Sequence, residues 1–274
     1  MAKKYKGKYG ATRDPKPVYV LILLGVLLIS VSIAAYFAFH RWQLRAASNE
    51  VRRTSEHTLR QYEAAPEFTQ ALAPLEAQES QKPELIIRPE FLQLRETFDN
   101  DDIVGHLRIE GTGIDYIVVQ ASDNVFYLDR DIHGQPSAAG WIFLDYEVDI
   151  TGNDQNTVIY GHNMITDIMF HSLRYYADYE FFRQHPVVTF NTLYEDMQWE
   201  IFAFYEAHID FPYTLINYES EAQWEIMLRH FIESSIYDTG IVPETGDRIL
   251  TLSTCTNVDD DMRLVLQARL VRQD

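Results

Sequence analysis

Cys255 is the residue of this chain best suited to nucleophilic chemistry. It is the only cysteine in 274 residues, and it ends the run Thr251-Leu252-Ser253-Thr254-Cys255. Exported proteins usually pair their cysteines in disulfides or avoid them, so a lone thiol in a chain with an apolar amino-terminal segment favours a reactive group. A buried, small apolar side chain is the alternative interpretation.

A reactive thiol needs a cationic neighbour, because a free cysteine has a pKa of about 8.5 and is mostly protonated at neutral pH. Among nine histidines, His162 is the strongest candidate, since it follows the apolar run 157–160. Gly161 permits a sharp turn there that would present the ring at the end of a strand.

The sequence places His106 and His133 in polar, turn-like contexts. Packed or surface rings are the ordinary interpretation of His171, His185, His208 and His230, which neighbour aromatic or amphipathic segments.

Arg263 is the candidate for a second cationic group near Cys255. It opens the last apolar run, eight residues after Cys255. A hairpin through the acidic loop Asp259-Asp260-Asp261 would return its side chain towards the thiol. An ordinary surface arginine is the alternative.

Short runs rich in β-branched and aromatic residues must position these side chains. We predict eight strands, at residues 105–109, 114–119, 140–144, 157–160, 187–190, 199–204, 248–252 and 263–271. This pattern indicates one β-barrel or sandwich domain. Residues 221–236 are predicted to form a helix that interrupts the late strands, with an apolar core-facing side formed by Trp224, Met227, Leu228, Phe231 and Ile232.

The amino-terminal segment predicts a membrane anchor. Residues 18–39 carry no charge, and a helix of this length spans roughly 33 Å, enough to cross a bilayer. Six basic residues and one acid precede it, which predicts a cytoplasmic amino terminus and an extracellular remainder. We therefore expect a basic tail at 1–17, an uncleaved single-pass anchor at 18–39, a helical stalk at 40–84 and a catalytic domain at 85–274.

The charge of the part beyond the anchor excludes one class of function. Residues 40–274 carry 17 basic and 40 acidic side chains, a net charge of −23. Such a surface has no general affinity for nucleic acid. It is compatible with an amine-bearing partner, although a high negative charge also serves solubility.

These motifs resemble the sortases, Gram-positive cysteine transpeptidases. The match rests on the Thr-Leu-Ser-Thr-Cys run with the following Arg263, and on Tyr160-Gly161-His162-Asn163-Met164. The helical stalk and the 221–236 helix are similar to class B. The resemblance implies a mainly β fold, an eight-stranded barrel with an N-terminal helical extension and a helix between late strands. It also implies a Cys255, His162 and Arg263 site that works without a cofactor.

The resemblance further implies the partners. The substrate would be the sorting-signal peptide of a secreted protein, cleaved after threonine through a thioester, and the acceptor an amine of a cell-wall precursor or of a pilin. The family pattern assigns walls of the peptide groove to Asn124, Leu128, Tyr160 and Ser253. Asn257-Val258, where the family often has an aromatic residue, departs from the pattern and puts the preferred signal in doubt.

Other functions stay open at this point. A cell-wall cysteine peptidase would add an orienting Asn or Asp, such as Asn163, to the cysteine–histidine pair. A pilin-polymerising sortase is a second alternative, although no Asp-Pro-aromatic lid lies beyond the anchor. A tethered scaffold with an inert thiol is a third. A zinc site is disfavoured, because Cys255 has no Cys-x-x-Cys partner and no histidine pair is spaced i, i+4.

Overall fold

The computed structural model describes residues 16–63, 85–152, 154–256, 259 and 261–271. The chain divides into two compact units, Met1–Ala46 and Ala47–Asp274. Helix α1 runs over Lys16–Glu63. The predicted stalk is thus helical as far as Glu63, while its residues 64–84 and residues 1–15 of the predicted tail lie outside the described part of the chain.

The first unit contains the apolar part of α1. Within the described residues there is one helix that is long and apolar enough to cross a membrane, and it starts near the amino terminus. Its large apolar side chains are exposed, among them Leu28 and Ile29. Tyr36 stacks on His40, and Phe39 stacks on Trp42. An aromatic group thus marks the end of the uncharged segment.

The second unit is built around a closed barrel of eight strands, counted over the described residues. The strands are β1 (Ile103–Arg108), β2 (Asp115–Val119), β3 (Phe143–Leu144), β4 (Asn156–Tyr160), β7 (Val187–Thr192), β8 (Gln198–His208), β9 (Ile249–Cys255) and β10 (Met262–Leu270). Their order around the barrel is β1-β2-β3-β4-β9-β10-β8-β7. The predicted eight-stranded barrel is confirmed.

Smaller elements complete this unit. A two-stranded sheet pairs β5 (Asn163–Met164) with β6 (Ile168–Met169). The helices are α2 (Pro89–Phe98), α3 (Tyr179–Gln184) and α4 (Glu221–Ser234), with 3₁₀ segments at Phe126–Leu128 and Phe170–Ala177. Each predicted strand overlaps an observed one, and α4 confirms the predicted helix. The sequence analysis missed the β5–β6 sheet, because two-residue strands are too short to show a period.

The core joins the barrel to α4. Trp224, Met227, Leu228 and Phe231 are buried against residues of β8, β9 and β10, and Ile232 packs partly buried beside them. Ser220 caps the helix by accepting a hydrogen bond from the N–H of Gln223. The predicted apolar face of α4 is therefore a packing face, which holds the barrel strands that carry the candidate site.

Candidate active site

The nucleophile candidate stands where a barrel strand ends. Cys255 is the last residue of β9, and its side chain is partly exposed. In the antiparallel register of β9 and β10, Cys255 lies directly opposite Arg263. The predicted hairpin therefore exists, and it brings the thiol and the guanidinium to the same end of the barrel.

His162 reaches this end of the barrel from the other neighbour of β9. Strand β4 runs parallel to β9 with Tyr160 opposite Ser253, and the N–H of Gly161 donates to the carbonyl oxygen of Ser253 at 3.3 Å. The chain leaves the sheet at this point. His162 and Cys255 each lie two residues beyond this last register pair, so the parallel pairing carries both past the same end of the barrel.

A backbone carbonyl orients the His162 ring. Its Nε2 lies 2.7 Å from the carbonyl oxygen of Leu128. Because a carbonyl oxygen only accepts, Nε2 carries a proton in this contact. The proton that the ring can exchange with a reacting group is then the one at Nδ1.

Gly140 makes that contact possible. It has a φ of +56°, and a Cβ built there would lie 2.6 Å from the carbonyl oxygen of Leu128 and 3.0 Å from Cδ2 of His162. Any other residue would press on both partners of the histidine hydrogen bond while adopting an unfavourable backbone conformation. No pattern in the sequence indicates this role for Gly140.

Asn163 is directed towards the nucleophile strand. Its Nδ2 donates to the carbonyl oxygen of Cys255 at 2.9 Å, and its Oδ1 lies 2.9 Å from Nδ1 of His171. The peptidase alternative required an orienting group on His162. The two atoms of the Asn163 amide instead contact Cys255 and His171.

Two donors beside the thiol meet at one oxygen. The carbonyl of Met262 accepts from the N–H of Thr256 at 3.3 Å and from Nη1 of Arg263 at 3.0 Å. Thr256 N–H is the amide that directly follows Cys255. A pair of donors that converges on one oxygen, one of them the amide that follows the candidate nucleophile, can also hold the oxyanion of an acyl-transfer reaction.

Tyr213 is a neighbour of the site that sequence analysis missed. Its hydroxyl lies 2.9 Å from Oγ of Ser253. In its ionised form, Tyr213 would interact electrostatically with both Arg263 and Cys255. Burial raises the pKa of Tyr213, while the bond to Ser253 and the nearby Arg263 lower it in part. It comes from a loop whose sequence carries no motif.

The predicted groove residues occupy two settings. Asn124 and Tyr160 both donate to Oδ2 of Asp145, each at 2.8 Å. Leu128 is exposed, whereas Ser253 is buried beneath Tyr213. Burial and the hydrogen bond to Asp145 raise the pKa of Tyr160, so its hydroxyl stays protonated and donates. Asp145, itself buried, is a further residue that the sequence analysis did not single out.

The described residues contain no group of three or more histidine, cysteine or acidic side chains arranged to hold a metal ion. Cys255, His162 and Arg263 offer a thiol, an imidazole and a guanidinium, with backbone donors beside them. Such a set suits nucleophilic attack on a carbonyl carbon.

Comparison with known proteins gives a consistent family. Residues 107–271 match the Sortase domain. Sortase B of Listeria monocytogenes is 38% identical over 174 residues, 63% of this chain and 71% of that protein. Sortase B of Staphylococcus aureus is 28% identical over 188 residues, 68% of this chain and 76% of that protein. The crystal structure of sortase B from Bacillus anthracis in complex with AAEK2 superposes with a TM-score of 0.69 at 33% identity, covering 85% of this chain and 98% of that one.

Proposed function

Since this chain belongs to the sortase family of cysteine transpeptidases and is similar to its class B, we propose that it cleaves the sorting signal of secreted proteins after threonine. The acyl group is then transferred to an amine of the cell envelope. The observation that carries this proposal is the strand register, which sets Arg263 opposite Cys255 and carries His162 past the same end of the barrel on the adjacent strand.

The first step makes a thioester. The Cys255 thiolate attacks the threonine carbonyl carbon, and the C–N bond breaks as the leaving nitrogen takes a proton from the His162 imidazolium. Since Nε2 is engaged with Leu128, we assign this proton to Nδ1. Arg263 and the Thr256 N–H hold the oxyanion, and for this they exchange the Met262 carbonyl for the substrate oxygen.

The second step restores the enzyme. An amine attacks the thioester, neutral His162 takes its proton, and the C–S bond breaks to release the thiolate and a new amide. The groove assigned to Asn124, Leu128, Tyr160 and Ser253 would hold the peptide. The fixed Asp145 contacts support this assignment for Asn124 and Tyr160.

The proposal is tested with the full chain in detergent micelles. A library of signal peptides is incubated with a glycine-type or diaminopimelate-type amine, and the products are identified by mass spectrometry. We expect a peptide joined to the amine, and no product from Cys255→Ala. Hydrolysed peptide alone at saturating amine would establish a cysteine peptidase instead. Transfer to a pilin lysine in preference to wall-type amines would establish the pilin-polymerising alternative.

We also propose that residues 18–39 anchor the protein in the lipid bilayer, with the amino terminus in the cytoplasm and the catalytic domain outside. The exposed apolar side chains of α1 support this, as does the aromatic group at Tyr36, Phe39 and Trp42 followed by Arg45. Aromatic and cationic side chains favour the interface between membrane and water.

The lone cysteine gives a direct test of this topology. A charged methanethiosulfonate reagent that does not cross membranes should modify Cys255 in intact cells. In the matched control, Tyr9→Cys combined with Cys255→Ala, modification should require permeabilised cells. Labelling of Tyr9→Cys in intact cells would show that the amino terminus lies outside the cell, the opposite of the proposed orientation. Absence of Cys255 labelling in the purified protein would indicate the inert-thiol alternative.

A further inference from the structure

We propose that Asn163 and His171 are positioning residues that fix the peptide unit after Cys255. Three hydrogen bonds form a chain from the surface to the nucleophile. Nη1 of Arg174 lies 3.4 Å from Nε2 of His171, Nδ1 of His171 lies 2.9 Å from Oδ1 of Asn163, and Nδ2 of Asn163 lies 2.9 Å from the Cys255 carbonyl oxygen. The inference rests on the proposed function for its kinetic effect, but not for the chain itself.

The Asn163 amide takes the place of a missing sheet hydrogen bond. Along the parallel β4–β9 pair, the N–H of Gly161 donates to Ser253, so the next donor in the ladder would be the N–H of residue 163, on the carbonyl of Cys255. The backbone has turned away there to form β5, which pairs Asn163 with Met169. The side-chain amide supplies the bond instead. His162 can therefore leave the sheet while Cys255 stays held.

The Cys255 carbonyl and Arg174, at the two ends of this hydrogen-bond chain, determine which atoms between them carry protons. The Cys255 carbonyl only accepts, so the nitrogen of Asn163 faces it and the oxygen faces His171. Nδ1 of His171 must then donate. Arg174 only donates, so Nε2 of His171 must accept. His171 is thus a neutral imidazole with its proton on Nδ1, which fixes the orientation of the Asn163 amide.

Burial gives this chain its strength. Asn163 is 9% exposed and His171 is 8% exposed, so water competes weakly for their hydrogen bonds. The segment that carries them is also constrained, because Asp167 and Met169 hold positive φ angles of 61° and 56°. The N–H of Phe170 donates to the carbonyl of His162 at 2.9 Å, which ties the same segment to the catalytic histidine candidate.

The consequence concerns one peptide unit. The Cys255 carbonyl and the Thr256 N–H belong to the same plane, so Asn163 holds one side of it while Met262 accepts from the other at 3.3 Å. The Thr256 N–H is a donor that we assign to the oxyanion. Asn163 and His171 therefore set the direction of this donor without touching substrate.

The tautomer of His171 tests the hydrogen-bond chain without an activity measurement. The full-length protein in micelles, labelled with ¹⁵N-histidine, gives a two-bond ¹⁵N–¹H correlation spectrum. Comparison with the spectrum of His171→Asn assigns the His171 signal. We expect a neutral ring with its proton on Nδ1 at pH 7. A proton on Nε2, or a doubly protonated ring, would overturn the proposal.

Amide exchange tests the hold on the peptide unit. In Asn163→Ala, the Thr256 amide should exchange about tenfold faster than in the wild type, because the Cys255 carbonyl of the same peptide unit loses its hydrogen bond to Asn163. The Leu252 amide, in the middle of β9, should be unaffected and reports any global loss of stability. Asn191→Ala is the matched control, since its amide oxygen accepts from the Met197 N–H at 3.2 Å on the far side of the barrel. Equal Thr256 exchange in the wild type and Asn163→Ala would refute the role.

Conservative replacements separate positioning from packing. His171→Asn keeps a donor near the position of Nδ1, whereas His171→Gln places its amide near Nε2. We expect His171→Gln and Asn163→Ala to lower kcat about tenfold with little change in KM, and His171→Asn to recover most of the loss. Equal kcat in His171→Asn and His171→Gln would overturn the assignment. If no peptide is ever cleaved, the proposed function fails while the tautomer and exchange results still decide this inference.

Discussion

Two opposite sides of the barrel use cationic and imidazole groups in different ways. Strands β9 and β1 lie four positions apart in either direction around the closed ring. At the end of β9, His162 and Arg263 contact the backbone carbonyls of Leu128 and Met262. On β1, His106 contacts the carboxylate of Asp115 at 2.6 Å. We call the first region the thiol end and the second the acid-paired face.

Nearby on the acid-paired face, Arg88 contacts both Glu90 and Asp196 at 2.7 Å. A carboxylate neutralises the cation that it binds, whereas a carbonyl oxygen orients a donor and leaves its charge in place. The acid-paired face therefore uses its charges to hold structure together. At the thiol end, carbonyl oxygens orient Nε2 of His162 and Nη1 of Arg263 as donors. The two histidines thus have different partners, a backbone carbonyl for His162 and a carboxylate for His106, and this difference can be tested from both sides.

Replacing the guanidinium should have the largest effect. We expect Arg263→Lys to lower kcat by about 10²–10³, because a single ammonium cannot donate in the forked geometry of a guanidinium. The matched control is Arg269→Lys on the same strand, whose guanidinium contacts Glu200 at 3.1 Å. It should keep its activity. Near-normal turnover of Arg263→Lys in the peptide assay would mean that the thiol end does not depend on this cation.

Crowding the histidine should have the next largest effect. In Gly140→Ala the new methyl would lie 2.6 Å from the Leu128 oxygen and 3.0 Å from the His162 ring, so kcat/KM should fall about tenfold. Gly240→Ala is the control, with a φ of +75° and nothing within 4 Å of the added carbon. Its cost is backbone strain alone, about 1 kcal/mol in the free energy of unfolding. Equal activity losses in both variants would assign the effect to strain.

The groove should respond more weakly. Asp145→Asn removes an acceptor shared by Asn124 and Tyr160, so both side chains lose their common anchor. We expect KM for the signal peptide to rise about fivefold with kcat little changed. Asp178→Asn, at the start of α3, removes a charge from a helix cap away from these residues and should leave KM unchanged. A fall in kcat without a change in KM would place Asp145 in the chemistry instead of the groove.

The acid-paired face should affect activity least. His106→Ala leaves the Asp115 carboxylate without its 2.6 Å partner. We expect the free energy of unfolding to fall by about 1–3 kcal/mol, measured by denaturant titration, with kcat unchanged. Loss of turnover at full stability would contradict the division between the two sides.

Sequence analysis placed His106 in the predicted strand 105–109 but described its surroundings as polar and turn-like. The strand is confirmed and the turn-like description is wrong, because His106 lies in β1 and is only 8% exposed. The carboxylate that makes its burial tolerable comes from the adjacent strand β2, across a pairing of Arg108 with Asp115. Local composition cannot show such a partner.

The sequence by itself determined the barrel strands, helix α4 and one side of the thiol end. Short runs rich in β-branched and aromatic residues, divided by turn residues, predicted the eight strands, and helical spacing predicted α4, because these patterns report the structure of a single segment. The placement of Arg263 opposite Cys255 was also predictable, because Arg263 follows Cys255 by eight residues and the turn residues between them predict a hairpin. The 18–39 anchor, by contrast, stays a prediction that the exposed apolar face of α1 supports.

Only the tertiary structure decided the rest. The parallel pairing of β4 with β9 joins segments about 90 residues apart, and it carries His162 past the same end of the barrel as Cys255. The roles of Asn163, His171, Gly140 and Tyr213 depend on tertiary contacts of short strands, a 3₁₀ segment and loops that show no period in the sequence. Hydrogen bonds to backbone carbonyls leave no trace in residue type, because every residue has a carbonyl oxygen, and only the folded chain selects which one a side chain meets.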